Sequence, residues 1–161
     1  MSSPRGGWSS LIRVAVALGS NLGDRAHCLH EAIAALASVV DDLRASTFYD
    51  TDPVGVAEQP RFLNAAAAGV TSLTARALLD ALLDIERRFG RVRPYPGAPR
   101  TLDLDLILYG DAVLDEPGLN VPHPRFRERA FVLRPLAEIA ADWRDPVTGR
   151  TVGELAAAVP D

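Results

Sequence analysis

The chain has 161 residues, of which 48% are hydrophobic, and this length and composition predict one compact domain with a substantial core. Its net charge of −4 means that the chain as a whole repels nucleic acid, although a local basic patch could still bind it. All 17 basic residues are arginine, which excludes a P-loop lysine, a Schiff-base lysine and a lysine general base, so any bound phosphate would be held by arginine or by a metal ion.

The start of the chain carries no recognisable targeting signal. No apolar run reaches the length of a membrane span, and residues 1–10 lack the apolar centre and the cleavage pattern of a signal peptide. We therefore expect a cytoplasmic protein without a membrane partner, with a flexible tail over residues 1–10 and a single domain over residues 11–161. One cysteine, Cys28, excludes a disulfide within the chain and is expected to be a small buried thiol.

The first half of the chain predicts a strand, a helix and two further strands. An apolar, β-rich run over residues 11–18 ends in a Gly-Ser-Asn turn. Apolar residues at helical spacing then predict a helix over residues 24–40. Two more strands are expected over residues 44–51 and 62–71, joined by a long loop over residues 52–61.

A second helix and another strand follow. Thr74 is a suitable N-cap for this helix, and an apolar stripe continues from it to Gly90, where the helix should end. A proline-rich loop over residues 91–99 leads into an apolar strand that ends near Tyr109.

The order strand, helix, strand, strand, helix, strand is that of a ferredoxin-like α+β sandwich, in which both helices lie on one face of an antiparallel sheet. Residues 111–161 remain as a C-terminal helical appendage. Helices are expected in it over residues 131–140 and 152–159.

Two aspartates, Asp103 and Asp105, interrupt the last strand of this core. Side chains two positions apart on a strand point to one face, and aspartate is poorly suited to strands, so the pair does not help the fold. Mg²⁺ takes oxygen ligands, usually one or two carboxylates together with nucleotide phosphates. The pair therefore indicates metal-assisted phosphate chemistry. The alternative is an edge strand whose outer face is acidic and wet.

Arginine is unusually dense on both sides of this strand. The nearby arginines are Arg87, Arg88, Arg91, Arg93, Arg100, Arg125, Arg127, Arg129 and Arg134. Guanidinium groups can grip phosphate oxygens bidentately. We expect Arg87 and Arg88 to be solvated at a helix end. The loop arginines 91, 93 and 100 are instead expected to face phosphates.

Three other polar positions have both structural and functional interpretations. Glu86 lies at the flank of the second helix, where a rim residue is favoured over a buried acceptor for a ligand. His123 stands between two prolines and could donate to a phosphate or be a satisfied loop histidine. His27 and His30 share a helix face but lack a third ligand, so they are a weak metal signal.

Several short segments form a pattern together. They are Val16-Ala-Leu-Gly-Ser-Asn-Leu-Gly-Asp24, Phe62-Leu-Asn64, Gly90-Arg-Val-Arg93, Pro99-Arg-Thr-Leu-Asp-Leu-Asp105, and Val121-Pro-His123 with Arg129 and Phe131. The pattern resembles the 6-hydroxymethyl-7,8-dihydropterin pyrophosphokinases of folate biosynthesis, over about residues 12–155. Members of that family have a ferredoxin-like core and transfer the β,γ-pyrophosphoryl group of ATP to a pterin hydroxymethyl, leaving AMP.

The resemblance implies roles on the ATP side. Asp103 and Asp105 would hold two Mg²⁺ ions along the ATP phosphates, and Arg91 and Arg100 would stabilise charge during transfer. The residues expected to bind the rest of ATP are Glu86, Arg93, Leu106, Asn120, His123 and Arg129.

The resemblance also implies a pterin pocket. Its expected residues are Thr51, Asp52, Val54, Phe62, Asn64 and Phe131. Phe62 and Phe131 would sandwich the flat pterin, and Asn64 would offer both a donor and an acceptor to its edge. The chain departs from the family where a loop often carries an Arg-Trp pair, which residues 94–98 lack.

Two other functions compete with this interpretation. An RNA-binding module of the same fold would show exposed aromatic residues on the sheet and a basic face, which the net charge disfavours. A folate-pathway aldolase-like enzyme would favour a lysine or tyrosine for proton transfer and would need no acid pair. We therefore expect ATP and 6-hydroxymethyl-7,8-dihydropterin as small-molecule substrates of a monomer, with no nucleic acid or membrane partner.

Overall fold

The computed structural model describes residues 11–21, 24–51, 61–89 and 102–160. The strands are β1 Ile12–Ser20, β2 Asp41–Ala45, β3 Tyr49–Thr51, β4 Phe62–Thr71, β5 Asp103–Tyr109, β6 Leu114–Glu116 and β7 Leu119–Val121. The helices are α1 Arg25–Leu36, α2 Ala75–Phe89, α3 Ala130–Ala140 and α4 Val152–Ala158, with a 3-10 turn at Phe126–Glu128 before α3. The tail over residues 1–10 and most of both loops around the expected site lie outside the described residues.

The central sheet has the order β2-β4-β1-β5. Strand β3 also pairs with β4, at residues 62–64, whereas β2 pairs with its other end. All of these pairings are antiparallel. Since α1 connects β1 to β2 and α2 connects β4 to β5, the described chain has the βαββαβ order of a ferredoxin-like sandwich. This fold was predicted from the sequence and is confirmed.

One face of the sheet packs against α1 and α2. The helices contribute fully buried leucines, among them Leu29 and Leu36 of α1 and Leu78 and Leu82 of α2. Removing such a side chain from water stabilises the fold by roughly 1.5–3 kcal/mol. The cap predicted at Thr74 is present, because its hydroxyl accepts the N–H of Ala77. Asp24 caps α1 in the same way and accepts the N–H of His27.

The opposite face of the sheet is covered by the C-terminal segment. Leu133 and Leu136 of α3, with Phe126 of the 3-10 turn, pack against small residues such as Ala66 and Ala68 of β4. Alanines on the strand let α3 approach the sheet closely. The C-terminal residues are therefore a second packed layer, whereas the sequence had suggested only an appendage.

The strand expected over residues 44–51 is interrupted. Ser46 lies between β2 and β3 and pairs with Ala66 of β4. Its N–H donates to Ala66 O at 2.8 Å, and its side-chain hydroxyl, in place of a backbone carbonyl, accepts the Ala66 N–H at 2.9 Å. Beside it, Gly69 permits a close approach of β2, since a Cβ at this position would lie 2.4 Å from Asp41 O. The side-chain bond of Ser46 explains why one predicted strand is observed as two.

Other boundaries differ from the prediction by a few residues. Strand β1 continues to Ser20, and α1 ends at Leu36, four residues before its expected end. Cys28 on α1 is only half-buried, and burial raises the pKa of its thiol. Within the described residues, no helix combines the length and apolarity needed to span a membrane.

Candidate active site

A cavity of about 530 Å³ opens at the end of the sheet where β1 and β4 meet β5. Strand register brings its polar residues into one row, because Gly19 of β1 pairs with Asn64 on one side and with Asp103 on the other. Thr51 of β3 pairs with Phe62 of β4, which extends the row. These residues, which lie far apart in the sequence, therefore meet at one sheet end.

The acid pair lines this cavity. Asp103 and Asp105 are both half-buried, while Leu104 and Leu106 between and after them are buried on the opposite face of β5. The alternation follows from the two-residue repeat of a strand. Two carboxylates thus share one face and open into the same space.

Glu86 is hydrogen-bonded to the strand that carries the acid pair. It lies on α2, is 9% exposed, and its Oε2 accepts the backbone N–H of Leu104 at 2.7 Å. The interpretation of Glu86 as a rim residue is therefore wrong. Its helical position could not reveal this, because the partner is a backbone group of a strand 18 positions later.

Those residues of the predicted pterin pocket that the structure describes lie together. Asn64 is buried, and its Nδ2 donates a hydrogen bond to Thr51 Oγ1. Phe62 and Phe131 both line the cavity. A Cβ at Gly19 would lie 3.1 Å from Asn64 Oδ1, so glycine leaves room for the amide there.

Glu138 of α3 joins this helix by hydrogen bonds to the chain segment that leads into β3. Its Oε2 accepts hydrogen bonds from Thr47 Oγ1 at 2.8 Å and from the Tyr49 hydroxyl at 2.9 Å. These residues precede Thr51 on the chain, and Phe131 is on the same helix as Glu138. The contact fixes α3 relative to the β3 side of the cavity.

A polar wall from the 3-10 turn faces the acid pair. Arg125, Glu128 and Arg129 line the cavity there, with Val132 at the start of α3. The guanidinium of Arg129 lies 5.5 Å from the ring centroid of Phe131. Glu128 and Val132 were not singled out from the sequence. No sequence periodicity could have found this wall, because it is built on a three-residue 3-10 turn that ends in an extended Arg129.

His123 stands beside this wall and is anchored to β5. Its N–H donates to Ile107 O at 2.9 Å, and its Nδ1 accepts the N–H of Arg125 at 3.2 Å. An accepting Nδ1 assigns the ring proton to Nε2 in the neutral form. Burial lowers the pKa of His123; Asp105 opposes this shift, and the two flanking arginines reinforce it.

The other residues predicted to bind ATP are placed less uniformly. Leu106 is buried on the α2 side of β5, and Asn120 is exposed on β7. Neither belongs to the described wall of the cavity, nor do Glu86 and His123. The remaining predicted residues, namely Asp52, Val54, Arg91, Arg93 and Arg100, lie outside the described residues. Arg87 and Arg88 are exposed at the end of α2, as expected.

The fold thus places two carboxylates, two arginines and two phenylalanine rings in one cavity, an arrangement suited to an enzyme that binds small charged and aromatic ligands. A family model described as 7,8-dihydro-6-hydroxymethylpterin-pyrophosphokinase matches residues 15–141. The chain belongs to this family, as the sequence motifs predicted.

Curated relatives agree with this assignment. A Pseudomonas aeruginosa protein named 2-amino-4-hydroxy-6-hydroxymethyldihydropteridine pyrophosphokinase is 48% identical over 150 residues, covering 92% of this chain and 92% of the relative. A Synechocystis protein of the same name is 46% identical over 142 residues, covering 87% and 72%.

Solved structures show the same fold at low identity. The crystal structure of wild-type Plasmodium falciparum HPPK-DHPS superposes with a TM-score of 0.70 at 12% identity. The match covers 91% of this chain and 44% of the solved one, so the chain spans less than half of that longer protein.

Proposed function

We propose that the protein transfers the pyrophosphoryl group of MgATP to the hydroxymethyl group of 6-hydroxymethyl-7,8-dihydropterin, giving AMP and the pterin diphosphate for folate biosynthesis. The observation that carries this proposal is the meeting of an acid pair, two phenylalanine rings and a Thr51–Asn64 hydrogen bond in one cavity. Family membership supports the reaction. The cavity volume of about 530 Å³ suits small-molecule ligands.

The acid pair fits divalent metal ions. Asp103 and Asp105 present carboxylate oxygens to one space and are only half-buried, so water and phosphate oxygens could complete the coordination. Two Mg²⁺ ions would neutralise phosphate charge and hold the triphosphate in place when bound. The strand fixes the separation of the two carboxylates before any ligand arrives.

The aromatic residues and the amide would orient the pterin. A flat heterocycle between Phe62 and Phe131 would stack on both rings. Asn64 keeps Nδ2 bonded to Thr51, so its Oδ1 and the Thr51 hydroxyl are held for the heterocycle edge. Asp52 and Val54 would contribute backbone groups to the same edge.

The reaction itself needs positioning and charge neutralisation. The pterin hydroxyl oxygen would attack the β-phosphorus, the bond from that phosphorus to the α,β-bridging oxygen would break, and AMP would leave while the hydroxyl proton is released. Arg129 of the described wall, with Arg91 and Arg100, would stabilise the charge that develops on the phosphate oxygens.

The remaining residues proposed to bind ATP are those that the family resemblance implies. His123 would offer its Nε2 proton to a phosphate oxygen. Arg93 would add a further guanidinium, while Leu106 and Asn120 would lie toward the nucleoside on the α2 side of β5. Glu86 would act there as well, through its bond to β5. We further propose that the chain works as a cytoplasmic monomer without nucleic acid.

The decisive experiment mixes the protein with MgATP and 6-hydroxymethyl-7,8-dihydropterin and identifies the nucleotide product. AMP with stoichiometric pterin diphosphate is expected. Formation of ADP would indicate an ordinary kinase, and no turnover with either product would overturn the proposal.

A further inference from the structure

We propose that the ion pair between Arg127 and Asp145 is a positioning device for the cavity wall, which holds the 3-10 turn so that Arg125 and Arg129 face the nucleotide phosphates. The inference rests on the proposed function. It assigns a role in nucleotide binding to two residues outside the described wall of the cavity.

Asp145 is a fully buried carboxylate surrounded by donors. It is 0% exposed, and Arg127 donates to it from Nε and, at 2.9 Å, from Nη2. The N–H of Val147 and the hydroxyl of Thr148 donate at 3.0 and 2.8 Å. Gly149 closes the turn with a 2.8 Å bond to Asp145 O. The carboxylate therefore belongs to a rigid turn.

Arg127 is the only residue of the 3-10 turn that reaches this carboxylate among the described contacts. Its guanidinium lies 4.9 Å from the ring centroid of Phe126, which is fully buried. Arg125 and Arg129 on either side of it point into the cavity instead. Fixing Arg127 therefore fixes the rotation of the turn, and with it the direction of both cavity arginines.

The turn needs such an anchor. It spans three residues, and the side chain of its N-cap residue, Arg125, makes no capping hydrogen bond. A single 3-10 turn is marginal by itself, because few hydrogen bonds compensate for the order it imposes. The turn is held by the buried Phe126 ring, by the bond from the Arg125 N–H to His123 Nδ1, and by the Arg127 ion pair, which alone among these joins it to the Asp145 turn.

A buried ion pair is a poor device for stability alone, because desolvation offsets much of its attraction. Its geometry is specific, however, since a guanidinium fork meets both carboxylate oxygens in one orientation. This directional bond lies two positions from each of the two arginines, Arg125 and Arg129, that are proposed to face phosphates. We therefore assign it to positioning.

The test compares ligand affinities in variants of the pair. In Arg127→Lys and Asp145→Asn, calorimetric titration with a non-hydrolysable MgATP analogue should show affinity weakened by about 10-fold, since small displacements of binding groups have effects of this order or larger. Affinity for the pterin should change much less, because Phe62 and Asn64 are held by strand pairing and by the bond to Thr51.

The matched control is Thr151→Ala. It removes the capping box of α4, in the same C-terminal layer, but leaves the Arg127–Asp145 contact in place. This variant should lower the melting temperature without changing the affinity for the analogue. The double variant Arg127→Lys/Asp145→Asn should lose no more affinity than either single one, because both changes act on one contact.

Two outcomes separate the inference from the proposed function. If folded Arg127→Lys and Asp145→Asn bind the analogue as tightly as wild type, the pair is only structural and the inference is wrong. If the wild-type protein itself binds no MgATP analogue, the proposed function fails first. Arg127→Lys keeps its charge at a partly exposed site, so it remains informative if Asp145→Asn does not fold.

Discussion

Glu86 Oε2 accepts the backbone N–H of Leu104, the residue that separates the two aspartates of β5, at 2.7 Å. A buried carboxylate thereby holds the strand at the point where both aspartates branch from it. Since strand rotation would move Asp103 and Asp105 together, this bond fixes the direction of the acid pair as a unit.

Replacing Glu86 should affect stability and metal use together. Glu86→Ala leaves the buried N–H of Leu104 without its carboxylate, which should lower the free energy of unfolding by about 1–3 kcal/mol. It should also raise the Mg²⁺ concentration needed for half-maximal turnover. Glu86→Gln keeps a carbonyl acceptor and should retain more of both properties.

Urea unfolding and magnesium titrations of turnover would measure these effects. Asp84→Asn is the matched control, because Asp84 is an exposed carboxylate on the same helix, 3.6 Å from Arg87. A change there should stay within about 0.5 kcal/mol. Equal effects at positions 84 and 86 would contradict a special role for Glu86.

The acid pair should be needed for turnover but not for folding. Asp103→Asn or Asp105→Asn removes one negative oxygen from the proposed metal site, and turnover should fall on the order of 10²-fold or more. Circular dichroism and the unfolding midpoint should change little, since both side chains are only half-buried. Asp111→Asn, in an exposed turn after β5, should leave the rate unchanged. Normal rates in both site variants would refute the metal assignment.

The pterin pocket should be separable from the nucleotide site. Phe131→Ala removes a stacking surface that contributes roughly 0.5–1.5 kcal/mol beyond area burial. Asn64→Ala removes the partner of Thr51 Oγ1 and leaves the pterin edge unsatisfied, at about 1–3 kcal/mol. Calorimetry on each variant should show weaker pterin binding and nearly unchanged binding of the MgATP analogue. A similar loss for both ligands would indicate a general disruption of the cavity.

The sequence predicted the order of the core elements because their periodicity is clear. Strand β4 runs from Phe62 to Thr71 as expected, and the acid pair stood out because aspartate is unfavourable within an apolar strand. The same principles could not show which side of the sheet the C-terminal helices cover. A strand with a run of alanines, as in β4, has no polar face from which to infer exposure.

Residues whose partners are backbone groups were the least predictable. Helical periodicity placed Glu86 at the flank of an apolar stripe but could not indicate the N–H of Leu104. Ser46 likewise replaces a backbone partner across from Ala66 and divides a predicted strand. The Arg127–Asp145 contact joins residues 18 positions apart across a helix, and no local pattern links them.

The pH dependence of stability should report on Asp145. Burial alone would raise its pKa, but hydrogen bonds from Arg127, Thr148 and Val147 outweigh burial and lower the pKa to about 2. An aspartate in the unfolded chain has a pKa of about 3.9, so the unfolded state takes up the proton first as the pH falls. The stabilisation from this carboxylate is therefore complete above about pH 5 and is lost between about pH 4 and pH 2.

Chemical unfolding of wild type and Asp145→Asn between pH 2 and pH 7 would measure this contribution. The difference in unfolding free energy should shrink by about 2 kcal/mol as the pH falls from 6 to 2, since one pKa unit corresponds to about 1.4 kcal/mol. A constant offset is also expected, because the variant leaves the Arg127 guanidinium without its counter-charge at every pH. The pH-dependent part is therefore the quantity that tests the assignment.

Glu154→Gln should show a much smaller change, because that carboxylate is exposed although its pKa is also lowered by the Thr151 N–H. If the difference between wild type and Asp145→Asn does not vary with pH, the carboxylate is not held in its ionised form by these donors.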